Sequence, residues 1–139
     1  MSIVVAHDTF IKYLKLQLSG KATVTIGGNV QSDLFVNGIT LTFVTDKCVV
    51  GSKVWEMLVS IDIYTDDTGN VIPDRKALLI ADDIVGVLEN GKTDQMYVGG
   101  SWVSGSGNLA WPVEDLSFKD VPHDSYVHKN LILPVTYFR

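Results

Sequence analysis

The sequence has a single cysteine, Cys48, in 139 residues, so no disulfide can form within the chain and stability has to come from a core. One lone thiol also fits a reducing compartment. Proline is scarce, with four residues, and no Pro-rich linker is present. No run of basic residues occurs: eleven Lys and Arg are scattered among sixteen Asp and Glu, giving a formal net charge of −5 and a pI near 4.9. A grip on duplex DNA or RNA needs clustered cations to displace counterions, so none is expected. No apolar run approaches the ~18 residues of a membrane span. Residues 1–6 are apolar, but they lack a basic region and a cleavage site and do not read as a signal peptide. The expectation is a soluble protein made in the cytoplasm. What is present is 46% hydrophobic and only 19% charged residues, the balance of a chain that buries a core and not of a disordered one. The length predicts one domain over residues 1–139.

Periodicity then places the elements. Phe10, Ile11, Leu14 and Leu18 recur at three-to-four-residue spacing and predict a helix from Ser2 to about Leu18, with Ser2 or Asp8 as cap and Gly20 past its end. Ala22–Ile26 is a short strand candidate. Asp33–Phe43 reads as extended around an Asn37-Gly38 turn, after which Ile39, Leu41 and Phe43 alternate with Thr40 and Thr42. The clearest strand is Val54–Thr65: Trp55, Met57, Val59, Ile61 and Ile63 share one face, while Glu56, Leu58, Ser60, Asp62 and Tyr64 share the other. After a polar turn at Asp66–Asn70, Pro73 and Asp74 open a second helix. Its apolar stripe is Ala77, Leu78, Ala81, Ile84, Val85 and Leu88, and Asn90-Gly91 closes it. Gln95–Val98 reads as a strand, Gly99–Gly107 as a loop or mobile hairpin tip, and Leu109–Phe118 as a strand interrupted by Pro112. In Lys129–Phe138, Leu131, Leu133, Val135 and Tyr137 alternate, and Pro134 marks an edge strand or a bulge because it removes a ladder donor. The fold class expected is α+β, a mainly antiparallel sheet with two helices packed on one face.

The chemical motifs do not survive their context. Gly86–Thr93 (GVLENGKT) satisfies the phosphate-loop pattern. A working loop follows a strand and opens a helix, whereas here the first glycine lies inside a helix and the lysine follows its end. Asp67-Thr68-Gly69 matches an aspartic-protease triplet but sits in a polar turn, without the apolar setting that couples two carboxylates. His7, His123, His128 and Cys48 do not make a four-ligand zinc spacing, and Asp66-Asp67 and Asp82-Asp83 lack calcium-loop spacing. Cys48 reads as a small buried or loop residue, and no G-x-S-x-G elbow occurs. No cofactor, metal or catalytic residue is assigned, and an enzyme is not expected. Trp102 and Trp111 flank the glycine-rich loop, where they can be binding anchors or core plugs.

In element order the chain resembles bacteriophage tail terminator proteins. The stretches that carry the likeness are Val54–Tyr64 (VWEMLVSIDIY), Lys76–Leu88 (KALLIADDIVGVL) and Leu131–Tyr137 (LILPVTY). They match a strand of W-x-x-x-V/L-x-I type, an amphipathic helix after a polar gap, and a closing V-x-Y-like strand. Gly99–Gly107 and Val113–His128 are elaborations on that outline. The resemblance implies a structural virion protein of the tail or neck, assembled in the host cytoplasm. Six copies would form a ring that caps the tail tube, ends its elongation and joins the tail to the head. The partners implied are the protein itself, the tail tube protein and the head–tail connector or other neck proteins, with DNA passing the lumen unbound. An acidic lumen suits that passage. A head-to-tail ring needs two different patches per copy. The candidates are Trp102, Val103 and Trp111 around the loop, and Leu131, Leu133, Val135 and Tyr137 of the last strand. The alternatives are a head-completion or connector protein of the neck and a small non-enzymatic binding module that uses the Trp102 loop.

Overall fold

A computed structural model describes residues 1–21, 23–26, 38–50, 53–66, 73–104, 107–122 and 126–139. Its elements are α1 (Ile3–Gln17), β1 (Thr23–Ile26), β2 (Gly38–Val50), β3 (Val54–Thr65), α2 (Pro73–Leu88), β4 (Met96–Val98), β5 (Ser101–Val103), β6 (Lys119–Val121) and β7 (Val127–Phe138). Five strands make one sheet in the order β1-β2-β3-β7-β6, and β4 and β5 make a separate two-stranded sheet. Only β1 and β2 pair in parallel; β2–β3, β3–β7 and β6–β7 are antiparallel. The fold is therefore the α+β class that the periodicity predicts.

The alternation of β3 decides which side is core. Met57, Val59, Ile61 and Ile63 are wholly buried. Across the ladder they face Val135, Leu133, Leu131 and Lys129 of β7, and all but Lys129 join one hydrophobic cluster. Ala6, Phe10 and Leu14 of α1 and Ala77, Ile84 and Leu88 of α2 enter the same cluster, so both helices lie on this one face. A fully buried Leu or Ile is worth ~1.5–3 kcal/mol over leaving it in water, which makes this layer the main source of stability. The stripe of α2 differs slightly from the expected one: Leu78 is exposed, and Ile80 is buried instead.

Local chemistry ends the elements where it should. The Ser2 hydroxyl accepts from the Val5 N–H at 3.2 Å, capping α1. Gly91, at φ 74°, closes α2 in the left-handed conformation that glycine adopts without cost. Gly99 and Gly100 both have positive φ and form the two-residue turn between β4 and β5, where Val98 pairs with Ser101. That matches the mirror-image turn that suits strand twist. The region expected as a loop or hairpin tip is thus a hairpin as far as Val103. Of the other expected turns, Asn37 and residues 67–70 lie outside the described residues, as does His123.

Two strand expectations are corrected. Leu109–Phe118 is not a strand: only Ala110 bridges, to Lys92 on one side and Thr136 on the other. Pro112 lacks a donor, and Asp115 at φ 59° turns the backbone away from extension. Conversely, β2 continues past Phe43 to Val50. A bulge between Phe43 and Thr45 shifts its alternation by one residue, which hides the polar stretch Thr45–Lys47 from a period-two reading.

Candidate functional site

The helices cover one face of the sheet, and the other face is where polar side chains gather. Because Asp62 pairs with Asn130 and Tyr64 with His128, the even-numbered residues of β3 and β7 stand side by side on this outer face. The Asp62 carboxylate collects their donors. Oδ1 accepts from His128 Nε2 at 2.6 Å and from Asn130 Nδ2 at 2.9 Å, and Oδ2 accepts from the Ser60 hydroxyl at 3.1 Å. Asn130 also donates to Ser60 Oγ at 2.9 Å. The His128 ring stacks on Tyr64 with centroids 4.4 Å apart, and Tyr126 meets Tyr64 edge-on at 5.4 Å. Burial, with the Asp62 charge and Tyr126 behind it, pushes the Tyr64 phenol up to about 12, so it stays neutral.

An imidazole oriented by a carboxylate is half of a hydrolytic triad. The other half is missing, because the Ser60 proton goes to the carboxylate and not to the imidazole. No nucleophile–base pair results. What the network does is lock β3 to β7 in register, since each member bonds across the two strands. It went unread in the sequence, although Ser60, Asp62 and Tyr64 alternate on the polar side of the clearest strand and His128 and Asn130 do so on the last one.

A second knot ties α1 to the sheet. His7 Nε2 lies 3.1 Å from Asp46 Oδ2, and the Tyr137 hydroxyl donates to Asp46 Oδ1 at 3.2 Å. The His7 ring stacks on Phe43 at 3.9 Å. Burial first, and then the Asp46 charge and its hydrogen bond, push the Tyr137 phenol up to about 12. Since Phe43 and Asp46 both reach α1, the bulge sends Val44 and Thr45 to the outer face together.

That face has an apolar centre. Val44 is 58% and Ile132 49% exposed. Leu58 and Pro134 are half-buried beside them, and Leu58 pairs directly with Pro134. No helix or second sheet lies over this centre among the described residues. The edge of β7 is bare at the same place among the described residues. Thr136 exchanges two backbone hydrogen bonds with Ala110, at 2.8 and 3.1 Å, so its polar groups point away from β3. Counting back by two, those of Pro134 and Ile132 point the same way. β6 pairs only as far as Asn130, so Pro134 stands where no strand asks for its missing N–H, as an edge position requires.

The residues marked in the sequence as an assembly surface separate into two groups. Trp111, Leu131, Leu133, Val135 and Tyr137 have buried side chains in the common core, so they cannot themselves meet a partner. The alternation that marked them is that of a strand buried on its helix side. β7 is also not an outermost strand, because it lies between β3 and β6. Trp111 is a core plug: its indole N–H donates to the Leu88 carbonyl at 2.7 Å, at the end of α2, and its ring meets Phe10 edge-on. Trp102 is half-buried against Tyr97, with centroids 5.3 Å apart, and Val103 is exposed. These two remain on the surface. Cys48 is exposed and lies in β2, not in a loop or the core. In the phosphate-loop pattern, Gly86 lies within α2. Thr93 is buried with its hydroxyl accepting from the Leu109 N–H at 3.0 Å, so no phosphate cradle forms. No group of three or more His, Cys, Asp or Glu able to hold a metal occurs among the described residues.

No protein-family profile and no curated protein matches the chain. It is similar to a solved structure of a protein that carries only a serial designation. The identity is 9% and the TM-score 0.54, over 99% of this chain and 95% of the other. At that identity the likeness speaks to the fold alone.

Proposed function

We propose that this chain is a bacteriophage tail terminator. Six copies form a ring that caps the tail tube, stops its growth and presents a face to the head–tail connector. The observation that carries the reading is the outer sheet face: an apolar centre of Val44, Leu58, Ile132 and Pro134 beside a bare strand edge. A two-layer domain leaves such a surface when a further layer is supplied from outside. The element order supports the same reading. An N-terminal helix, strands, a helix lying across the sheet and a closing strand follow the terminator outline along the whole chain.

In this arrangement the outer face docks on the tail tube or the connector. The polar network on Asp62 holds β3 and β7 rigid beneath it, so little ordering entropy is lost on docking. The net charge of −5 suits a lumen that repels the DNA passing through it.

Negative-stain microscopy of the purified protein, alone and mixed with polymerised tail tubes from a candidate phage, tests the proposal. Rings of six copies, or caps at one end of the tubes, are expected. A strict monomer that never touches a tube would sink the terminator reading and direct attention to ligand binding around Trp102.

A further inference from the structure

Two surfaces away from the apolar centre of the outer sheet face complement each other. The first is a groove on the helix layer. One part of it, about 400 Å³, lies between α1 and the β4–β5 hairpin and is lined by Tyr13, Leu16 and Trp102. The other part, about 640 Å³, runs between α1 and α2 and is lined by Asp82, Asp83 and Lys21. Tyr13, Gln17 and Asp94 line both, so the groove is continuous, with an apolar end and an acidic end. Its three carboxylates, Asp82, Asp83 and Asp94, against Lys21 and against Lys92, which lies 4.0 Å from Asp94, leave −1. Asp83 is 3.9 Å from Lys21, whereas Asp82 is exposed and has no ion pair among the described residues.

The second surface is the corner where the β2–β3 hairpin meets the end of β7. Phe138 pairs with Val54, and the Arg139 N–H donates to the Lys53 carbonyl at 2.8 Å. The Met1 amine holds the Phe138 carbonyl at 3.0 Å. Phe138 is 58% and Val49 46% exposed. Lys47, Lys53 and Arg139 against Glu56 leave +2. Lys47 is 3.9 Å from Glu56, and Arg139 lies 4.8 Å over Trp55. Lys53 is exposed, with no ion pair among the described residues.

We infer that the corner of one copy seats in the groove of the next, Phe138 against Tyr13, Leu16 and Trp102, with Lys53 and Arg139 facing Asp82 and Asp94. This contact rests on the ring reading and specifies how the ring closes. A groove and a corner are two different patches of one chain, so the contact is head-to-tail, the kind that propagates around a ring. Each patch pairs an exposed apolar anchor with a net charge of one sign, which favours this register and disfavours groove-to-groove or corner-to-corner pairing by like-charge repulsion.

Charge reversal on each side tests it. One variant carries Asp82→Lys and Asp94→Lys, the other Lys53→Glu and Arg139→Glu. All four positions are exposed, and circular dichroism checks that both variants fold. Sedimentation velocity should show each variant alone associating at least about tenfold more weakly than the unmodified chain, the scale of losing two facing charge pairs. An equimolar mixture should assemble again, because alternating copies restore every contact. If the unmodified chain forms rings and both variants do so equally well, this contact is wrong while the ring stands. If the variants fail and the mixture fails too, the two surfaces do not face each other. If the unmodified chain forms no ring, alone or on tubes, both readings fall together.

Discussion

Replacing Trp111 with phenylalanine separates a core role from a surface role. The indole is buried, with its N–H 2.7 Å from the Leu88 carbonyl. That carbonyl also accepts from the Gly91 N–H at 3.0 Å, so Trp111→Phe removes one of its two bonds and does not orphan it. A net hydrogen bond is worth ~1 kcal/mol. The smaller ring also loosens the edge-on contact with Phe10, whose centroid is 5.7 Å away, which adds ~1 kcal/mol by analogy with other aromatic and cavity changes. The expected loss is therefore ~2 kcal/mol, and for a chain of this length ~4 °C of melting temperature follows each kcal/mol, or ~8 °C in all. Thermal unfolding by circular dichroism, together with the urea midpoint, measures it. Trp102→Phe is the control: Trp102 is half-buried on the hairpin, and its shift should stay under ~2 °C because surface changes rarely exceed ~0.5 kcal/mol. Equal shifts for the two variants, or a larger one at Trp102, would refute the placement of Trp111 as the plug at the end of α2.

Alkali should unfold the protein in a defined window. Tyr64 and Tyr137 are both pushed up to about 12 in the folded state from an ordinary 10. Their neutral forms thus stabilise the fold fully below pH 10, and that stability drains away as pH rises from 10 towards 12, by something of order 2 kcal/mol per tyrosine. Urea midpoints across that range measure the slope, and Tyr137→Phe should flatten it by about half. Ile132→Glu should leave the melting temperature within a few degrees, because the side chain is half exposed, yet abolish caps on tail tubes in micrographs while rings persist. Asp62→Ala removes the shared acceptor of His128, Asn130 and Ser60 and should cost ~2–4 kcal/mol, read from denaturant unfolding.

Much of this architecture was legible because single physical signals marked it. The bounds of β3 follow from strict alternation between Val54 and Thr65, and those of α2 from Pro73 at its start and Gly91 past its end. Where two signals overlapped, reading failed. In β2 the bulge after Phe43 broke the period, so the extended reading stopped at Phe43. At Leu109–Phe118 apolar residues suggested a strand, but Leu109 and Trp111 are buried in the core, Trp111 as a plug at the end of α2, a role with no periodicity. β6 is three residues, Lys-Asp-Val, too short and polar to announce itself. The candidate surface was the least legible. A residue that alternates toward the core and one that alternates toward a partner give the same pattern along a strand, and only the helices over Leu131, Leu133 and Val135 tell them apart. The outer-face centre was hard to read for the same reason: Val44 and Ile132 look like ordinary strand residues until no layer is found above them among the described residues.

The position of β7 has a consequence for how the protein is made. Strands β3 and β7 lie side by side in the sheet, yet 61 residues separate Thr65 from Val127. A ribosome completes β2 and β3 long before it supplies the strand that pairs with β3 along its whole length. Until then a twelve-residue strand offers a bare edge to any neighbouring chain, and Met57, Val59 and Ile61 lack their β7 neighbours. The last pairing must also close that long loop before it is rewarded, which slows the final step. Nascent chains stalled short of residue 127 should therefore engage chaperones or aggregate, and solubility should appear abruptly as the length passes through β7.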